Sequence, residues 1–228
     1  MIPNHRLLVP YAAPYFAYVL IATVAERFVP MEVNYILRIV IVSATLLWAK
    51  QWFFSFKGPK SPVASTLAGI LAGIAGLILW IVLLTPFVFG AEAKPWTQSA
   101  FVLRLLAAGF LVPIFEEVMM RGYVFRFALQ WDEARKSKAR DALGTALDER
   151  SVNDVQPGAW SWAAVVVSTI VFTLGHTTPE WPASIAYGLL MAGLYILRKD
   201  LLSCIVAHGV TNIGLAIYVY QTGKWQLW

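Results

Sequence analysis

The chain has 228 residues, of which 59% are apolar and only 14% charged, with 10 Trp and a net charge of +5. A soluble domain runs nearer half apolar and a quarter charged, and one core of this size could not hide so much apolar surface from water. Disordered, collagen-like and disulfide-rich chains are excluded by the same figures, the last because Cys204 is the single cysteine. A mean hydropathy of +0.64 leaves a polytopic membrane protein.

The N-terminus, MIPNHRLLVPY, has one Arg, no small-residue cleavage site and prolines at 3, 10 and 14. It makes a poor signal peptide and is expected to open the first span. A crossing needs ~20 mostly apolar residues. Seven segments approach this: 7–25, 35–54, 63–89, 98–129, 160–176, 182–197 and 201–220. The fifth and sixth are short. The fourth is too long for one crossing, and Pro113 is expected to kink it or split it into two helices. The expected fold is therefore an all-α transmembrane bundle of about seven spans (six to eight) around a polar cavity.

In the third segment Gly69, Gly73 and Gly76 form either a small-residue face for close helix contact or glycines tolerated against lipid. Trp48, Trp96, Trp131, Trp160, Trp181 and Trp225 sit near segment ends, as an interfacial belt would.

The basic residues fall between apolar runs and act as topology signals rather than as a nucleic-acid surface. With seven spans, 12 Lys and Arg lie on the side of the N-terminus and 3 on the other, with Arg38, Arg104 and Arg121 inside spans. This bias predicts a cytoplasmic N-terminus, and the short, loop-poor chain is expected in a bacterial cytoplasmic membrane. The polar stretch 132–158 carries nearly balanced charge. Ala139, Ala142, Leu143, Ala146 and Leu147 recur there at helical spacing, which predicts a short surface helix and no soluble catalytic domain. Any chemistry is expected within the membrane.

A charged side chain in hydrocarbon costs at least ~2.5–3.5 kcal/mol on insertion scales, so each one needs a reason. Arg38 and Arg104 lie near span ends and are expected to snorkel. The run Phe115-Glu116-Glu117-Val118-Met119-Met120-Arg121-Gly122 is different. Glu117 and Arg121 are four apart and can pair on one helix face. Glu116 points about 100° away, unpaired by its own helix and suited to proton transfer. His176 ends the fifth apolar run, and His208 lies in the seventh, four residues before Asn212. Imidazole and carboxamide then project from one face.

Glu-Glu-x-x-x-Arg, Phe-x-x-x-His and His-x-x-x-Asn, in this order on successive apolar helices, resemble the CAAX prenyl endopeptidase and bacteriocin-processing (CPBP, Abi) family of intramembrane proteases. The likeness covers about 110–217, with 1–95 matching only as hydrophobic spans. Those spans look like a bacterial CAAX-protease-related subgroup found beside exosortase systems. The resemblance implies N-terminal spans over 1–95, a catalytic helical core over 96–222 with its loop at 131–158, and hydrolysis near a substrate's C-terminus. It implies that Glu116 and His176 activate water, that His208 and Asn212 stabilise the oxyanion, and that Glu117 with Arg121 positions the helix. An older view of the family makes such residues zinc ligands, here Glu116, His176 and His208. The absence of a tightly spaced ligand pair on one helix favours metal-independent catalysis. The expected partners are membrane lipid and a peptide or protein substrate.

Two further readings compete: a proton- or ion-coupled transporter, since intramembrane ionisable groups also line ion paths, and a catalytically silent immunity or assembly factor. One geometric difficulty stands. Counted along their helices, His208 lies about 10 Å from the cytoplasmic end of its span while His176 comes out near the opposite face. The two meet only if the fifth helix starts below the surface or 177–181 dips into the membrane.

Overall fold

The computed structural model describes residues 1–91 and 93–228 as an all-α bundle without strands among them. Helices α1 (Asn4–Ala25), α2 (Met31–Ala49) and α3 (Pro62–Val88) precede a long helical run, α4, over Gln98–Lys136. The short α5 (Ala142–Asp148) lies in the polar stretch, and α6 (Trp162–Leu174), α7 (Trp181–Arg198) and α8 (Leu202–Thr222) complete the bundle. Five of these, α1 to α4 and α8, are long and apolar enough to cross a membrane, with α6 a shorter apolar helix of 13 residues.

The fourth apolar segment is one continuous helical run. Its backbone passes through two π-helical stretches, Ala107–Leu111 and Val118–Val124, on either side of an α-helical turn at Val112–Glu117. Pro113 supplies no N–H to the carbonyl four residues back, Gly109, and the first π stretch lies where that hydrogen bond is missing. The run therefore stays unbroken.

The glycines of α3 resolve to a contact face against α8. A Cβ on Gly69 would lie 2.7 Å from the Ser203 carbonyl oxygen, and one on Gly73 would lie 2.6 Å from that of Ala207. The two backbones approach this closely only because no side chain stands between them. Helix α3 also packs on α7, α1 on α2, and α6 on both α4 and α7.

At one end of the bundle Asn4, wholly buried, ties the N-terminus to the polar stretch. Its side chain donates to Gln130 Oε1 (2.7 Å) and to the Ala146 carbonyl (2.8 Å) and accepts from the Val152 N–H (2.6 Å). The N-terminus and 132–158 thus share one end, as the parity of seven segments requires. Helix α5 begins at Ala142 and leaves Ala139 outside it.

Three expectations about surface residues change. Arg126, one of the 12 basic residues assigned to the side of the N-terminus, is 3% exposed, donating to Tyr195 Oη (2.7 Å) and the Val152 carbonyl (2.9 Å) with its guanidinium over the Phe54 ring. Trp225 is buried against Phe101 and Tyr220 rather than lying in a belt. Arg38 bonds Asn34 Oδ1 (2.5 Å) and stacks near the Tyr18 and Tyr35 rings, and these protein partners occupy it in place of headgroups.

Gly73→Val forces α3 off α8 and lowers stability by roughly 1–3 kcal/mol, the range for overpacking a close contact. It is read as a fall in thermal unfolding temperature in detergent. Gly193→Ala in α7 serves as control, since nothing lies within 4 Å of the added methyl. An equal fall in both variants would exclude close α3–α8 packing as the cause.

Candidate active site

Adjacent carboxylates on α4 diverge into two environments. The Glu117 side chain is 0% exposed, whereas that of Glu116 is 17% exposed and faces a cavity. Glu117 Oε1 meets Arg121 Nη1 at 3.3 Å, and Arg121 is itself fully buried, its Nη2 donating to the Gly188 carbonyl of α7 at 3.1 Å. The pair expected from the four-residue spacing is therefore formed.

The same Glu117 oxygen also lies 2.9 Å from Nδ1 of His208 on α8, a contact the sequence did not reveal. A carboxylate only accepts, so the Nδ1 proton of His208 sits on that bond and Nε2 is left to the cavity. His208 Nε2 lies 3.8 Å from Glu116 Oε2. One buried ion pair thus fixes the imidazole that stands beside the second carboxylate.

His176 follows the end of α6. Its Nδ1 lies 2.9 Å from the Phe172 carbonyl. A carbonyl also only accepts, so this nitrogen carries the proton and Nε2 presents a lone pair. The ring packs on Phe172 and Trp80, with centroids 4.6 and 5.4 Å away.

Phe172 stands between the two histidines, its centroid 6.4 Å from that of His208. Both histidines line the same cavity of about 150 Å³ with Glu116 and Asn212. The two histidines do meet despite their different positions along their helices: His176 folds back onto the last turn of the 13-residue α6, with Phe172 between it and His208.

The chain then turns through Thr178–Glu180 with its polar groups satisfied internally. Glu180 Oε2 accepts from the Thr177 N–H and hydroxyl at 2.8 and 2.6 Å, and Trp181 Nε1 donates to the His176 carbonyl at 3.2 Å.

Asn212 donates through Nδ2 to the Ala108 carbonyl at 2.8 Å, within the first π stretch of α4. This bond fixes the carboxamide against α4 and leaves one further N–H on Nδ2. Wall residues missed in the sequence include Trp80 from α3 and Tyr187 from α7, whose hydroxyl donates to Thr211 Oγ1 at 3.2 Å. No spacing rule links residues on separate helices. Arg104 also lines the cavity, on the α4 stripe Arg104, Ala108, Val112, Glu116, where snorkelling to headgroups was expected. His5, the third histidine, pairs with Asp148 on the surface, 2.8 Å away.

The donor set as arranged does not fit a zinc ion. Among the described residues, no three His, Cys, Asp or Glu side chains converge as metal ligands. Both Nδ1 atoms are committed elsewhere, to Glu117 and to the Phe172 carbonyl.

Neither the curated proteins nor the solved structures give a significant match to the chain. The family model described as type II CAAX prenyl endopeptidase Rce1-like matches residues 98–214, which run from the start of α4 into α8 and include both carboxylates, Arg121, both cavity histidines and Asn212. That match takes in half the chain and the whole polar cluster, and on it the chain belongs to the Rce1-like type II CAAX prenyl endopeptidase family.

Proposed function

We propose that the chain is an intramembrane endopeptidase that hydrolyses a peptide bond near the C-terminus of a membrane-associated or lipidated substrate, without a metal. The observation that carries this reading is the grouping of Glu116, His176, His208 and Asn212 on one cavity, with the Nδ1 of each imidazole held by a fixed acceptor. Family membership supports an intramembrane protease of CAAX type. The assignment of steps to residues follows what the resemblance to that family implies, and their shared cavity supports it.

In the proposed mechanism a water enters between Glu116 and His176. Glu116 carboxylate and the His176 Nε2 lone pair take up its proton as its oxygen attacks the scissile carbonyl. Negative charge then develops on the carbonyl oxygen. His208, carrying a second proton, donates Nε2–H to it, and Asn212 donates its remaining N–H. The proton held by Glu116 and His176 passes to the leaving amine. Glu117 and Arg121 are positioning residues in this scheme, because they reach the substrate only through His208.

A transporter reading requires an ion path through the bundle. The cluster argues against this, since Glu117 and Arg121 are both fully buried and matched to each other.

The test is cleavage of fluorescent peptides with apolar C-termini by the full chain in detergent. Glu116→Gln and His176→Ala reduce kcat by at least about 10²-fold, the scale of a lost acid or base, while the protein still purifies folded. Cleavage persisting in both variants would sink the assignment. Chelator leaves the rate unchanged, and inhibition that added zinc reverses would overturn the metal-free scheme.

Arg121→Met should behave differently from the Glu116 variant. It leaves the buried Glu117 with His208 as its remaining partner and costs about 3–5 kcal/mol of stability. This is seen as a large fall in unfolding temperature, partly restored in the double variant Glu117→Gln/Arg121→Met. No recovery in the double variant would show that the pair is not the source of the loss.

A further inference from the structure

Arg104 has no role in the chemistry above, yet it shares the cavity. It lies on the stripe of α4 that leads through Ala108 and Val112 to Glu116, at the end of the cavity farther from the polar stretch 132–158. Its guanidinium sits 4.5 Å from the centroid of Trp96 and 4.5 Å from that of Trp228. The rings cover it by cation–π contact without consuming its N–H donors.

Among the described residues Arg104 forms no ion pair, and its side chain makes no hydrogen bond. Glu180 also lines the cavity but lies beyond ion-pair distance of Arg104. Arg38 is engaged by Asn34, and the Glu180 oxygen that accepts hydrogen bonds takes them from Thr177. A guanidinium fixed between two rings with its donors open to a cavity is a receptor for a planar anion, and a carboxylate matches its fork.

We propose that Arg104 binds the free C-terminal carboxylate of the peptide to be cleaved and so sets how far from the end cleavage occurs. This rests on the peptidase reading of the same cavity. The spacing is suitable. Twelve residues separate Arg104 from Glu116, about 18 Å along a helix at ~1.5 Å per residue. An extended peptide rises ~3.3 Å per residue, so a chain anchored on Arg104 brings a bond about five residues or fewer from its end to Glu116. The site therefore discriminates a C-terminal acid from an internal segment by charge, independently of side-chain identity.

The competing source of an anion is a lipid phosphate at the membrane surface, and the experiment separates the two. A fluorescent octapeptide with four apolar C-terminal residues is made once as the free acid and once as the amide. Its binding to the full chain in detergent is measured in the non-hydrolysing Glu116→Gln background. With Arg104 present, the acid binds about 10- to 100-fold more tightly than the amide, the scale of a charge-assisted hydrogen bond. Arg104→Gln brings the two within about twofold, and Arg104→Lys retains part of the difference.

Equal binding of acid and amide to the Arg104 protein overturns the proposal without needing any variant at that position. So does discrimination that survives Arg104→Gln. Competition by anionic phospholipid with no difference between acid and amide assigns Arg104 to headgroups instead. Cleavage by the unmodified chain is scored separately. Cleavage without acid preference refutes the carboxylate site and leaves the peptidase standing. Acid preference without cleavage refutes the peptidase and leaves the anion site standing.

Discussion

The ion pair between Glu117 and Arg121, with His208 hung from it, decides how the central helices sit on one another. Lipid is as apolar as the helix faces, so burial of Leu or Val against a neighbour does little to fix register within a membrane. Directed polar contacts do fix it. Arg121 reaches the Gly188 carbonyl on α7, and Glu117 reaches His208 on α8, so one pair on α4 sets the placement of two further helices. Neither charge could be kept at 0% exposure alone, and each is tolerable because the other is present. The cluster is thus a structural constraint first. Its proposed chemical use follows, because the same bond that satisfies Glu117 also leaves Nε2 of His208 to the cavity.

The π stretches of α4 belong to this arrangement. They flank the single α-helical turn that carries Glu116 and Glu117. On either side the helix is wider, and carbonyls fall out of the usual ladder. The Ala108 carbonyl in the first stretch is taken by Asn212, so the backbone irregularity caused by Pro113 becomes the anchor for a side chain of the site. Gly209 completes the fit. A Cβ there would lie 2.8 Å from the Gly109 carbonyl oxygen, so α8 can approach the π stretch only with glycine at that position.

The sequence made the spans and most of the polar cluster legible because the bilayer penalises charge so strongly that each exception is conspicuous. Glu116, Glu117, Arg121, His208 and Asn212 stood out in apolar runs for that reason. Spacing on one helix could supply the Glu117–Arg121 pair and nothing more. The Glu117–His208 bond joins residues 91 apart, and no periodicity reports it. His176 was expected near the face opposite His208, and counting along one helix does not show that its imidazole turns back on the Phe172 carbonyl to share a cavity with His208. Arg104 and Arg126 were misjudged for a shared reason. Aromatic rings on distant segments, Trp96 and Trp228 in one case and Phe54 in the other, shelter each guanidinium where headgroups or water were expected to do so.

The family match begins at residue 98, yet the cavity is not closed by residues 98–214 alone. Trp80 of α3 packs on His176, and Leu227 and Trp228 cover the end where Arg104 lies. The seating of Trp80 depends on how closely α3 approaches its neighbours. Tyr187 Oη donates to Thr211 Oγ1, which donates to the Gly73 carbonyl at 2.8 Å, and the Tyr187 ring lies directly against Gly76. A side chain at either glycine would push α3 outward and draw Trp80 away from the His176 imidazole. The glycine face of α3, which on packing grounds alone serves helix association, therefore also sets the wall against which the proposed base is held. The polar groups lie in the family-matched half, while part of the shape around them comes from the residues on either side.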